Sequence, residues 1–227
     1  MKTARDEEFR IYVLAQRAPI ERLATELAAG DRALADSIVQ LALTRVYLAW
    51  PALRKLSDPQ SIVRRFLVTA LLSEGRRPWR RLEPRADDFP AGVEDLYRVL
   101  RDLPIQTRVV AVLRCVRGLD VLETADALSC AHSEVEARTA RAVEALRRLP
   151  CVPAGSSDDE LLAHLRRGPD DAVAGSADAP SPLVVDSDVA RGQRALRRHH
   201  ARARGGTATQ TSASRPHTAH RGWSSGR

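Results

Sequence analysis

The sequence predicts an all-α protein, with two small helical modules followed by a tail that does not fold. Three observations lead there. Apolar residues recur at three- and four-residue spacing through residues 6–76 and again through 92–149. Hydrophobic residues make up 44% of the chain but aromatics only 4%, which suits helices built on Ala, Leu and Val better than a large β core. The composition also changes twice, to a basic, Pro-rich stretch over 77–91 and to polar, charged sequence over 150–227.

Three helices account for the first module. Phe9, Tyr12, Val13, Ile20, Leu23, Ala24 and Leu27 form the stripe of the first. Gly30 can end it and Asp31 can cap the next. In the second helix Leu34, Ile38, Leu41, Arg45 and Leu48 lie along one stripe, and Val39, Ala42, Val46 and Trp50 along another. Two stripes imply a helix covered from more than one side. Pro51 is expected to close it. Asp58 then caps a third helix with Pro59 at its first position, buried through Ile62, Val63, Phe66, Leu67, Ala70 and Leu71.

The linker carries Pro78, Pro84 and Pro90 and the run Arg76, Arg77, Pro78, Trp79, Arg80, Arg81. Four helical stretches follow it. Val93, Leu96, Tyr97, Leu100 and Leu103 mark the first, ended by Pro104; Ile105, Val109, Val112, Leu113 and Val116 mark the second, ended by Gly118. A short helix with Val121, Leu122, Ala125 and Leu128 is separated by Ser129 to Ala131 from a longer one with Val135, Thr139, Ala142, Leu146 and Leu149. Short helix, tight turn, longer helix is the helix-turn-helix arrangement, which other helical hairpins can imitate.

Residues 150–188 are acidic, and 189–227 hold nine arginines and no acid. This tail is expected to stay disordered, apart from a short helix from Asp158 to Arg167 behind a Ser157 cap. A formal charge of +7, carried almost wholly by arginine, fits a polyanionic partner; a GC-rich genome would give the same bias. Cys115, Cys130 and Cys151 are too widely spaced for a disulfide framework or zinc site, and two of them fit helix cores. A charged N-terminus without an apolar run predicts a cytoplasmic protein with no signal peptide and no membrane insertion. No Gly-rich phosphate loop, metal-ligand spacing or Ser-His-acid set is present, so neither an enzyme nor a bound cofactor is expected.

The segments "GDRALADSIVQLALTRVYLAW" and "DPQSIVRRFLVTALL", followed by "LPIQTRVVAVLRCVRGLDVLETADALSCAHSEVEARTARAVEALRRL", resemble regions 2 and 4 of the sigma-70 family of RNA polymerase sigma factors. The resemblance covers about residues 6–149 and is nearest the small extracytoplasmic-function group, in its actinobacterial SigE-like branch. It implies a factor that directs core RNA polymerase to promoters through their −10 and −35 elements, with the β′ clamp helices, the β flap, promoter DNA and an anti-sigma factor as partners. Asp36, Val39 and Gln40 sit where region 2 packs on the clamp helices. Arg64 and Arg65, with Arg76, Arg77, Trp79 and Arg80, supply the cations and stacking surface that melted −10 DNA needs. In the recognition helix the implied groove-facing residues are Ser133, Glu134, Glu136, Arg138 and Arg141.

The departures from the family pattern concern the DNA. Thr69 replaces an Asn, Glu74 a basic residue, and Ser129 a Gly at the end of the first motif helix. Glu134, Val135 and Glu136 stand where Thr-Val-Lys is usual, and carboxylates repel phosphates although Glu can accept from cytosine. Two other readings stay open: a helix-turn-helix regulator that needs no polymerase, and a sigma-like regulatory protein without promoter-specific initiation activity.

Overall fold

The described residues of this computed structural model (4–74, 93–153, 155–173 and 182–206) form helices joined by turns and loops. Helix α1 (Ala4–Leu27) buries Phe9, Val13, Ile20, Ala24 and Leu27. Two residues end it in left-handed backbone, Ala29 as well as the expected Gly30, at φ 51° and 83°. Ala29 N donates to Glu26 O and Gly30 N to Thr25 O, both at 2.9 Å, which satisfies the last carbonyls of the helix. Asp31 then caps α2 (Arg32–Leu53), its carboxylate accepting from Leu34 N at 2.8 Å.

Pro51 does not close α2, which runs on to Leu53. A helical proline leaves the carbonyl four residues earlier without its donor. That carbonyl belongs to Tyr47, and the Arg5 guanidinium donates to it while lying 4.5 Å from the centroid of the Tyr47 ring. A long-range cation thus replaces the missing backbone bond. Helix α3 (Gln60–Glu74) begins just after Pro59 rather than at it, with Asp58 Oδ1 accepting from Gln60 N at 2.9 Å as a cap. The bundle closes on Phe9, whose ring meets Tyr47 and Trp50 edge-on at centroid distances of 5.1 and 5.7 Å.

In the second module α4 (Glu94–Asp102) stops before Pro104, with Leu103 extended. Arg108 donates from Nε to Leu100 O at 2.8 Å and from Nη2 to Arg101 O at 3.1 Å, holding α4 against the next helix. Helix α5 (Ile105–Val110) passes into a π-helical turn over Ala111–Val116, which periodicity alone read as one helix. Gly118, at φ 70°, ends the element.

Helix α6 (Val121–Leu128) starts with a capping box. Asp120 accepts from Glu123 N at 2.7 Å and Glu123 accepts from Asp120 N at 3.0 Å. It stops at Ser129, which is left-handed at φ 53°; Ser129 N donates to Asp126 O at 3.2 Å and Cys130 N to Ala125 O at 3.1 Å. Helix α7 (His132–Leu146) follows. Val110, Ala125 and Val135 form the small core that fixes α6 against α7. A serine in left-handed backbone is strained, and glycine there is not. Ser129→Gly should therefore stabilise the protein by about 0.5–1 kcal/mol, read as a raised melting temperature; a lower one would show that the Ser129 side chain supports the turn.

The expectation of a disordered tail needs correction over its described part. Helix α8 (Asp158–Val173) begins with the anticipated cap, where Ser157 N donates to Glu160 Oε2 at 2.8 Å and Glu160 N to Ser157 Oγ at 3.3 Å. It runs beyond Arg167, and Leu161 and Leu165 are buried, with α8 packed on the π-helical turn. Helix α9 (Pro182–Gly206) packs on α1 and α2. Composition misleads here because α9 buries few large apolar groups. Its inner face offers Val185, Asp188, Gly192 and Ala195, with the charge answered by arginines on α1.

Candidate polymerase and nucleic-acid interface

The three residues implied for polymerase contact lie on one stretch of α2 but differ in access. Asp36 is exposed, Val39 is buried at 3% exposure, and Gln40 is half-buried. The Gln40 side-chain oxygen accepts from Arg191 Nη1 of α9 at 2.9 Å. Around it α9 makes a polar lattice with the first module. Asp186 pairs with Arg10 and Asp188 with Arg17, and Gln193 Nε2 donates to Asp6 Oδ2 at 3.0 Å. Asp6 is itself buried and accepts from Tyr47 Oη at 2.6 Å. Burial, followed by this hydrogen bond, pushes the Tyr47 hydroxyl up to about 12, so Tyr47 remains a neutral donor.

Arg64 and Arg65 both project from α3 towards α6. Arg64 Nη2 lies 3.4 Å from Glu123 Oε1. Arg65 donates to Asp126 twice, to Oδ1 at 2.8 Å and to the backbone oxygen at 3.2 Å. A third pair joins the modules, with Arg117 donating to both carboxylate oxygens of Glu26 at 2.7 and 2.5 Å. Glu26 is only 5% exposed. Arg64 and Arg65, two of the arginines implied for −10 DNA, are therefore engaged by α6. Arg76, Arg77, Trp79 and Arg80 lie outside the described residues, as does the linker over 77–91.

Helix α7 packs on α4, α5, the π-helical turn and α6. Ser133, Glu134, Glu136 and Arg141 are exposed on it. Arg138 is more confined, its side chain 17% exposed and 3.6 Å from Glu134 Oε2, with Nη2 donating to Gln106 Oε1 at 2.7 Å. The outer surface of α7 thus mixes arginines with carboxylates.

Periodicity missed the buried charges Asp6, Arg17, Glu26, Glu74 and Asp188. For Arg17 a signal existed, since it falls on the face that carries Phe9, Val13, Ile20 and Ala24, where an apolar residue is expected. Cys115 is buried, and burial pushes its thiol up to about 11, which suits a core residue rather than a nucleophile. Among the described residues no group of three or more His, Cys, Asp and Glu side chains could hold a metal ion, and no helix is long and apolar enough to cross a membrane.

No protein-family model and no curated protein matches the sequence. Among solved structures the chain is similar to the sigma factor RpoE from Bartonella quintana, determined in complex with the anti-sigma factor NepR, with a TM-score of 0.52 and 18% identity over 63% of this chain and 96% of that one. At that identity the likeness is one of architecture, and it spans nearly the whole of the other chain. The fold of this protein is similar to that of a sigma factor.

Proposed function

We propose that the chain is a sigma factor of the extracytoplasmic-function group, which binds core RNA polymerase and directs it to promoters. The observation that carries this reading is the fold: a three-helix bundle followed by a module ending in α6, turn and α7, similar to a sigma factor along 96% of that factor's length. In this reading residues 6–76 act as region 2 and 92–149 as region 4. Asp36, Val39 and Gln40 contact the β′ clamp helices, region 4 approaches the β flap, and the work is done in the cytoplasm. Arg64, Arg65, Arg76, Arg77, Trp79 and Arg80 serve the −10 element; Ser133, Glu134, Glu136, Arg138 and Arg141 serve the −35 element. An anti-sigma factor is a further partner; the similar sigma factor was determined with one.

Transcription in vitro with core polymerase on a genomic promoter library tests the whole proposal, and a single substitution tests the polymerase contact. Asp36 is exposed on α2, so Asp36→Arg should leave the helical circular dichroism unchanged. It should weaken core-polymerase binding roughly tenfold, about 1.4 kcal/mol, through a misplaced charge at the interface. Undiminished binding would remove Asp36 from the contact.

Two observations favour a second reading, a sigma-like regulator that has lost promoter-specific initiation. Arg64 and Arg65 are already paired with Glu123 and Asp126, and Glu134 and Glu136 stand exposed on α7. Binding to core polymerase without a footprint on any promoter would select it. DNA binding without polymerase would select an independent helix-turn-helix regulator instead.

A further inference from the structure

We propose that the groove between α1 and α2 is a helix-docking surface filled in cis by α9, and that core RNA polymerase must displace α9 to reach α2. This rests on the reading of the chain as a polymerase-binding factor.

Helix α9 is seated as a fitted ligand. Gly192 lies so close to the Tyr47 ring that a Cβ there would overlap the ring atoms. Glycine inside a helix costs about 1 kcal/mol relative to alanine; here it permits the close approach. Val185 is fully buried one face-repeat before it and Ala195 is 9% exposed after it. The polar contacts are complementary along the same line, with Asp186 on Arg10, Asp188 on Arg17, Arg191 on Gln40 and Gln193 on Asp6. The Asp188 and Arg17 side chains are 3% and 10% exposed.

The seat overlaps the implied polymerase contact at Gln40. Arg191 occupies the side-chain oxygen of Gln40, and a clamp helix cannot take the same groove while α9 fills it. The contact is also built to open. It is held by few large apolar groups, and burial keeps the Asp188 carboxyl above its ordinary range even though Arg17 and Arg191 pull it down. Undocking returns these charges to water, which offsets much of what is lost. The outer face of α9 carries Arg194, Arg197, Arg198 and Arg202, all exposed, so a released helix remains well solvated.

Competition of this kind lowers apparent affinity by the fraction of molecules that are open. The test is binding of the full chain to core polymerase, with amide hydrogen exchange over residues 185–196 as a separate readout of docking. Gly192→Leu should expel α9 by collision with Tyr47. Asp188→Arg should expel it by placing a cation against Arg17, a second route should the leucine variant fold poorly. Each should raise exchange over α9 and tighten polymerase binding by at least about tenfold. Arg17→Asp combined with Asp188→Arg should restore both protection and weak binding. Faster exchange with unchanged affinity would overturn the competition and leave the polymerase reading intact. Unchanged exchange in both variants would overturn the seat itself. If wild type and every released variant all fail to bind polymerase, the polymerase reading fails and takes this proposal with it.

Discussion

Phe9→Ala should destabilise the protein by about 3–5 kcal/mol, a large share of the 5–15 kcal/mol typical of a folded domain. Phe9 is fully buried and stands edge-on to both Tyr47 and Trp50. Each such ring pair contributes about 0.5–1.5 kcal/mol beyond the area it buries. Truncation leaves a cavity walled by two rigid rings that cannot collapse into it. The damage should spread to α9, because Tyr47 is the surface against which Gly192 packs and the donor to Asp6. Urea titration followed by circular dichroism gives the loss, and exchange over α9 reports the spread. Ile11 sits two residues away on the same helix at 61% exposure, so Ile11→Ala should change stability by no more than about 0.5 kcal/mol. A Phe9→Ala loss as small as that would mean the bundle does not close on this ring.

Local signals in the sequence were sufficient wherever the physics is local. Asp31 and Asp58 cap the helices they were expected to cap, Gly118 turns the chain, and Pro104 separates α4 from α5, because each acts within four residues of itself. Pro51 shows the limit. The sequence states that a carbonyl loses its donor, but Arg5, more than forty residues earlier, supplies another one. The tail shows the same limit on a larger scale. Helix α9 was not legible because its inner face reads as Val, Asp, Gly and Ala, and the arginines that neutralise its two aspartates lie on α1.

The candidate sites divide in the same way. That a short α6, a turn and a longer α7 follow one another could be read from spacing and the break at Ser129. That Arg64 and Arg65 would meet Glu123 and Asp126 could not, since the pairing joins separate modules some sixty residues apart. It alters what those arginines can do. Exposed ion pairs contribute little individually, about 0–1 kcal/mol, so both arginines can be freed at small cost if the modules separate.

Arg141→Ala should reduce DNA affinity by about 1–3 kcal/mol if its guanidinium reads a base edge, and Arg138→Ala should cost less. The two share one side of α7, and sequence alone ranks them equally. The structure separates them. Arg141 is exposed, whereas Arg138 donates to Gln106 at 2.7 Å and lies 3.6 Å from Glu134. To reach DNA, Arg138 must give up contacts that Arg141 does not have to break, so part of its gain is cancelled. Binding to duplex libraries at several salt concentrations measures both. A base reader loses discrimination at one position. A phosphate contact weakens all sequences together and lowers the salt slope by about one. Equal losses for the two variants would mean that α7 rearranges on DNA and frees Arg138. If neither variant loses affinity, this helix does not carry DNA recognition, and Glu134 and Glu136 would then be surface charges facing a protein or solvent.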